Sequence, residues 1–311
     1  HMLFIAAAAV FALSLLFPLA CLLWPALAES WLGAVFAPIC GALSALAGNC
    51  PFPLAEPLAL LLAALLIVLL FRARRAACLL LSLLFAGYAL LWAPAYFLPM
   101  GHAVPAEVSA AQLTALCEAL TQRLNARGAF ELPDDLGAQA LRAAALVETP
   151  APISAAPKPA RYPEWMRALS LAGLYAPWTG EALYDPTAPA AGQPFTAVHE
   201  LMHMGGVADE GQANICAYIA CRRYGGAFAR SADLWALKYA MDALRLTDAA
   251  AWEACLARLS AAVRADFFAL GGASPPAAAN EAAEAFLRFV GIAEKVSNYS
   301  ALVAWLAARI V

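Results

Sequence analysis

Two runs of sequence constrain this chain more than anything else in it. Residues 2–28 and 76–100 contain no Asp, Glu, Lys or Arg. Each exceeds the roughly 20 apolar residues needed to cross about 30 Å of hydrocarbon, so both are expected to span a membrane. Residues 57–71 form a shorter apolar run between Glu56 and Arg72. Those two charges can reach the two interfaces, so a third span is expected there. Residues 30–55 are also uncharged but hold Pro38, Gly41, Gly48, Asn49, Pro51 and Pro53. That composition reads as an interfacial or re-entrant loop, with a fourth span as the alternative. Trp24, Trp31, Trp92 and Tyr96 fall near the expected span ends, where interfacial aromatics collect.

Only Glu29, Glu56, Arg72, Arg74 and Arg75 are charged in the first hundred residues. The chain therefore divides into a transmembrane anchor, 1–100, and a more ordinary globular domain, 101–311. With 64% apolar and 13% charged side chains it is neither disordered nor typical of a soluble domain. A net charge of −3 excludes a strongly basic nucleic-acid binder, so the bilayer and not a nucleic acid is the expected partner. Arg72, Arg74 and Arg75 are the only basic cluster between spans, which predicts a cytoplasmic turn there. The next span then leads outward and places the domain outside the cytoplasm. Ala26-Leu27-Ala28 resembles a signal-peptidase site, but no Lys or Arg precedes it, so an uncleaved anchor is expected. His1 before Met2 reads as a cloning remnant.

The fold class read from the pattern is mainly α, with one small strand or hairpin element. Apolar Leu113, Leu116, Cys117, Leu120 and Leu124 follow helical spacing behind Ser109, a good N-cap. Further helices are expected over 133–147, 163–171, 195–204, 209–224, 231–246, 248–270, 276–292 and 296–310. Residues 150–159 read as a Pro/Ala-rich linker, and 173–185 as a hairpin or edge strand. Cys40 and Cys50 share the outer loop and are a possible disulfide. There is no C-x-x-C, so a cysteine zinc site is unsupported.

One motif carries chemistry. His199-Glu200-Leu201-Met202-His203 is H-E-x-x-H. On a helix, residues four apart stand one above the other, so both imidazoles can grip one metal ion. Glu200 is then placed to take a proton from a metal-activated water. The bland alternative is two histidines hydrogen-bonded on a polar helix face. A third protein ligand is needed. Gly205-Gly206 should end the helix and let the chain turn back. Asp209 and Glu210 are the near carboxylates. Asp209-Glu210-Gly211-Gln212 fits a capping box, which occupies Asp209 and makes Glu210 the better ligand. Asp209 itself, or a distant acid such as Glu181, stays open as an alternative. Asn214 lies one turn beyond Glu210 and could orient a ligand. Tyr299, Tyr184 and Tyr218 are possible oxyanion donors. His102, just past the last span, reads as an interfacial residue.

The stretch from Gly173-Leu-Tyr-Ala-Pro-Trp-Thr-Gly-Glu-Ala through Pro194-Phe195 and His199–His203 to Glu210-x-x-Ala213-Asn214 and Ala217-Tyr218 carries a family resemblance. It resembles a bacterial multi-pass membrane family known only as a domain of unknown function, with a zincin-like H-E-x-x-H. The likeness extends to the spans, to Pro51-Phe52-Pro53 and to Ser297-x-Tyr299. The family tends to show Glu-x-Glu-Ala-Asn, whereas this chain has Gln212 at the second acid, which leaves Glu210 as the matching acid. The resemblance implies a metallopeptidase-like fold in a bacterial cell membrane and supplies no substrate.

The expected function is a membrane-anchored zinc metallopeptidase acting on an extracytoplasmic or membrane-proximal peptide or protein. Residues near 181–186 would pair with extended substrate. The alternative is a non-catalytic zinc-binding scaffold of the cell envelope. An intramembrane protease would need the motif inside a span, and Asp209, Glu210, Arg222 and Arg223 argue against that.

Overall fold

A computed structural model describes residues 2–99, 101–105, 107–271 and 299–310. The N-terminal part is helical: α1 (Met2–Leu23), α2 (Pro25–Trp31), a π-helical turn (Leu32–Phe36), α3 (Ala37–Gly48), α4 (Ala55–Arg72) and α5 (Arg74–Leu91). A 3-10 turn, Ala93–Phe97, extends α5. Four of these stretches, Met2–Leu23, Pro25–Gly48, Ala55–Arg72 and Arg74–Phe97, are long and apolar enough to cross a membrane. The protein is therefore membrane-anchored.

Three expectations about this region are corrected. The loop expected over 30–55 is helical as far as Gly48. Pro38 lies inside the continuous helical stretch Pro25–Gly48 and directly follows the π-helical turn Leu32–Phe36, a local widening of the kind that accompanies a proline within a helix. Ala28, Trp31, Phe36, Cys40, Ser44 and Ala47 form a buried stripe along this stretch. Trp31 and Trp92 are core residues rather than interfacial ones, at 3% and 8% exposure, and the Trp31 indole donates to the Leu90 carbonyl. Of the expected interfacial tryptophans Trp24 is the exposed one. All eight cysteines are free, so Cys40 and Cys50 do not pair. Cys40 faces the interior of the protein and Cys50 lies past the helix end.

The rest of the chain runs α6 (Ala110–Asn125), α7 (Leu136–Ala144), β1 (Lys158–Pro159), α8 (Pro163–Ala168), β2 (Gly173–Ala176), β3 (Glu181–Tyr184), α9 (Gln193–Met204), α10 (Glu210–Tyr224), α11 (Gly226–Thr247), α12 (Ala249–Arg258), α13 (Ala261–Leu270) and α14 (Tyr299–Ile310). Side-chain caps start many of these helices. Ser109 and Gln112 form a full capping box on α6, and Asp135, Asp248 and Ser260 cap α7, α12 and α13. The single helix expected over 248–270 is broken at Leu259-Ser260. The helix expected over 276–292 lies outside the described residues, as do Ser297 and the side chain of Tyr299.

The hairpin is present, but its second strand is central. The order is β1-β3-β2, with β1 parallel and β2 antiparallel to β3. Strand β3, expected to offer a free edge to substrate, has neighbours on both sides. The hairpin turn docks on α3. Gly180 adopts φ +65°, its carbonyl accepts from Ser44 Oγ, and a Cβ there would meet α3 backbone within 2.9 Å. One continuous apolar core joins Trp31, Phe36 and Trp92 to Leu116, Leu201 and Leu237. Helix α9 lies in its middle, packed against α7, α10, α11, β2 and β3.

Candidate metal centre

Local turns build this site. Helix α9 carries His199, Glu200 and His203 on its last two turns. Gly205 and Gly206 stop the helix. Gly206 has φ +87°, a left-handed conformation that costs a residue with a Cβ about 1–2 kcal/mol. The Val207 N–H returns to the Met202 carbonyl and closes the terminal turn. The Val207 carbonyl then accepts from His203 Nδ1 at 2.7 Å. Asp209 caps α10 by accepting from the Gln212 N–H at 2.9 Å. Glu210, the first residue of α10, thereby brings its carboxylate to the two imidazoles.

His199 Nε2 and His203 Nε2 stand 3.0 Å apart. Glu210 Oε2 is 3.1 Å from His199 Nε2, and Oε1 is 3.4 Å from His203 Nε2. The three residues each offer one ligand atom within 4.8 Å of the others. Because a carbonyl only accepts, Val207 holds a His203 proton on Nδ1, so the neutral ring has its lone pair on Nε2. That lone pair, the His199 ring and a carboxylate converge. Groups that accept and do not donate repel one another unless a cation lies between them, either a proton or a metal ion. Four ligands at about 2.0–2.1 Å in a tetrahedron stand about 3.4 Å apart, close to the spacings here. His199 Nδ1 is buried without a protein partner.

Electrostatics follow from the same contacts. Burial pulls the His203 imidazole down, but Glu210 and then Glu200 overcome it and push its pKa up to about 9. Burial works to raise Glu210, yet His203 and His199 hold its carboxyl well below the usual carboxylate range. Glu200 is buried, and desolvation raises its pKa above the ordinary value, with His199 and His203 offsetting part of the rise.

Three residues of the surroundings were not expected at the site from the sequence. A Cβ on Gly173 would fall 2.4 Å from Glu200 Oε1 and 2.6 Å from its Cγ, so the start of β2 presses directly on Glu200. Trp92 stands edge-on to His203 with ring centroids 5.9 Å apart. Val207 contributes only its carbonyl, which its side chain cannot announce.

The structure brings His199, Glu200, His203 and Glu210 together. Asp209 is a cap. Gln212 does not complete the box, because its amide exchanges two hydrogen bonds with the His102 backbone. His102 packs on Trp305. Glu181 is bound to Lys158 and to the Leu54 and Ala55 N–H groups, so it is no ligand. Tyr218 donates to Asp233, and Tyr184 lies in β3. Asn214 is 1% exposed with its amide nitrogen unpartnered. Tyr299 opens α14, which packs on α10.

A family profile described as a protein of unknown function (DUF3810) matches residues 32–307. The chain belongs to the DUF3810 family. The match takes in the hairpin and the whole His199–Glu210 segment and leaves α1 and α2 outside it. No curated protein and no solved structure matches the chain.

Proposed function

We propose that this DUF3810 protein is a membrane-anchored, zincin-like zinc metallopeptidase that hydrolyses peptide bonds outside the cytoplasm. The observation that carries this reading is the convergence of His199 Nε2, His203 Nε2 and the Glu210 carboxylate beside the buried Glu200. His199, His203 and Glu210 would hold the metal. Three protein donors of nitrogen and oxygen type match catalytic zinc, which keeps a further position for water or substrate. When bound, zinc polarises a peptide carbonyl and brings the pKa of a water toward about 7.

The chain's own residues do the rest. Glu210, held ionised by the two histidines, balances the cation. The Val207 carbonyl keeps His203 in the tautomer whose Nε2 can ligate. Glu200 takes the proton of the attacking water and passes it to the amine nitrogen as the C–N bond breaks. Its raised pKa suits a group that must both accept and return a proton. The outer edge of β2 adjoins Glu200 through Gly173, so an extended peptide pairing there would reach the site. The Arg72–Arg75 turn is cytoplasmic on this reading, which places the site on the opposite side.

The full chain, purified in detergent, is expected to hold one zinc and to cleave a mixed peptide library. Glu200→Gln should keep the zinc and lose cleavage by about 10²–10⁴-fold. Full cleavage by that variant would remove Glu200 from the reaction. Zinc without cleavage in the parent chain would leave a zinc-binding scaffold as the function.

A further inference from the structure

Helices α1 and α5 run parallel. Phe11 and Phe85, each near mid-helix, lie with ring centroids 4.9 Å apart in a tilted pair, α1 also packs on the 3-10 turn that follows α5, and Trp31, at the end of the short α2, donates to Leu90 near the end of α5. Only Ala73 separates α4 from α5, and the start of α4 (Glu56 with Arg161 and Tyr162) and the end of α5 (Gly87 and Tyr88 with Trp178) both meet the segment that carries the sheet, so the two helices run in opposite directions. The end of α1, the start of α4 and the end of α5 therefore share one side. Glu56, in the first turn of α4, accepts from the Arg161 and Tyr162 N–H groups, so this is the side of the sheet and α9. The stretch Pro25–Gly48 begins there and also ends there. Its Ala47 carbonyl accepts from Lys158 Nζ at 2.7 Å, and Gly48 abuts Ala155. A helix that crosses a bilayer must end on the side opposite its start.

We propose that Pro25–Gly48 does not cross the bilayer. The chain crosses three times, and this helix and the hairpin turn are sunk in the leaflet beneath α9, so that the His199–Glu210 site opens at the membrane boundary. The lipid tails are the occupant of its outward face. That face carries Leu27, Ile39 and Leu46 at 41%, 39% and 65% exposure, continuous with the exposed apolar faces of α1 and α4.

Helix α5 serves as a depth gauge. Arg75 and Trp92 are about 26 Å apart at 1.5 Å rise per residue. The hydrocarbon core is about 30 Å thick, so Trp92, the ring beside His203, stands near its far edge. Trp178 of the hairpin turn packs on Gly87, where a Cβ would meet its indole nitrogen at 2.9 Å, and on Tyr88. Gly87 lies about 8 Å short of Trp92 along the helix, which puts the turn below the boundary. Tyr162 and Trp165 stack beside the start of α4, where amphipathic aromatics meet headgroups. A substrate for this site is then a peptide segment held at the membrane surface. The placement stands whether or not the site holds zinc, while the substrate class rests on the peptidase reading.

Cysteine labelling of the full chain, with its eight native cysteines replaced by alanine, in sealed membranes with an impermeant maleimide tests the topology. Glu29→Cys and Asn49→Cys are expected to label from the same side as Asp134→Cys, and Ala73→Cys from the other. Label reaching Asn49→Cys from the Ala73 side would overturn the three-crossing path. A nitroxide at Trp178→Cys in vesicles of phosphatidylethanolamine and phosphatidylglycerol is expected to collide with oxygen and to be shielded from a water-soluble nickel chelate. Exposure to the chelate equal to that of a label at Asp134→Cys would show the hairpin riding above the lipid. Neither measurement uses metal or activity, so a failed peptidase reading leaves both outcomes readable.

Discussion

Glu181 and Glu210 are both carboxylates that tie separate elements together, and they do so in opposite ways. Glu181 accepts from two backbone N–H groups at 3.0 and 2.8 Å and from Lys158 Nζ at 2.9 Å. Every one of those contacts is a donor, so the acid is complete as it stands. Glu210 faces two imidazole nitrogens, and because Val207 holds one His203 proton on Nδ1, its Nε2 meets the carboxylate either with a second proton or across a metal ion. A carboxylate matched to donors is a joint. A carboxylate matched to other acceptors is half of something that needs a cation. In a chain with so few charges, this difference separates the acid that positions the sheet from the acid that serves the site.

The sharpest way to break this comparison is to remove a member of the acceptor cluster. His203→Ala should lose bound zinc and essentially all cleavage while keeping its helical content, as read by metal analysis and circular dichroism. Retained stoichiometric zinc would mean that the cluster is not the metal site. Glu181→Ala should do the reverse. It leaves the half-buried Lys158 and the Leu54 and Ala55 N–H groups without their acid and is expected to cost about 1–3 kcal/mol of stability, seen in the unfolding transition, with zinc content per folded chain unchanged. Gly173→Ala should fall between these two. The added methyl displaces Glu200, so kcat is expected to drop about 10²-fold while zinc stays bound. An unchanged kcat would show that Glu200 tolerates the shift. Gly206→Ala is expected to be the mildest. It forces a left-handed residue with a Cβ and should cost about 1–2 kcal/mol, with zinc affinity weakened through the Val207 carbonyl. A change in stability with no change in affinity would uncouple that carbonyl from the site.

What was legible in the sequence was local. Ser109 with Gln112 announces the start of α6. Asp209 announces the cap of α10, and the two glycines announce the end of α9. The hairpin over 173–185 was visible from its alternation and turn residues. Position was not legible. Trp31 and Trp92 look like interfacial aromatics because hydropathy places them at span ends, and nothing nearby reports that Trp31 packs on Phe36 and bonds to Leu90 or that Trp92 stands against His203. Pro38 and the glycines of 30–55 suggest a loop, because their helical propensity is poor. The stripe from Ala28 to Ala47 packs against the protein and overrides that weak preference. Likewise Glu181 invites comparison with a ligand until Lys158 and the 54–55 backbone are seen to claim it.

The sequence by itself determined the apolar helices and the pairing of His199 with His203 on one helical face, and it narrowed the third ligand to a few acids with Glu210 first. Backbone geometry fixes the distance between residues so close along the chain, whatever surrounds them. Only the tertiary structure decided that β3 is central, that Gly173 presses on Glu200 and that Trp92 stands against His203. Each of these joins segments far apart in the chain. Such contacts are selected by the packing of whole elements, and no local pattern records them.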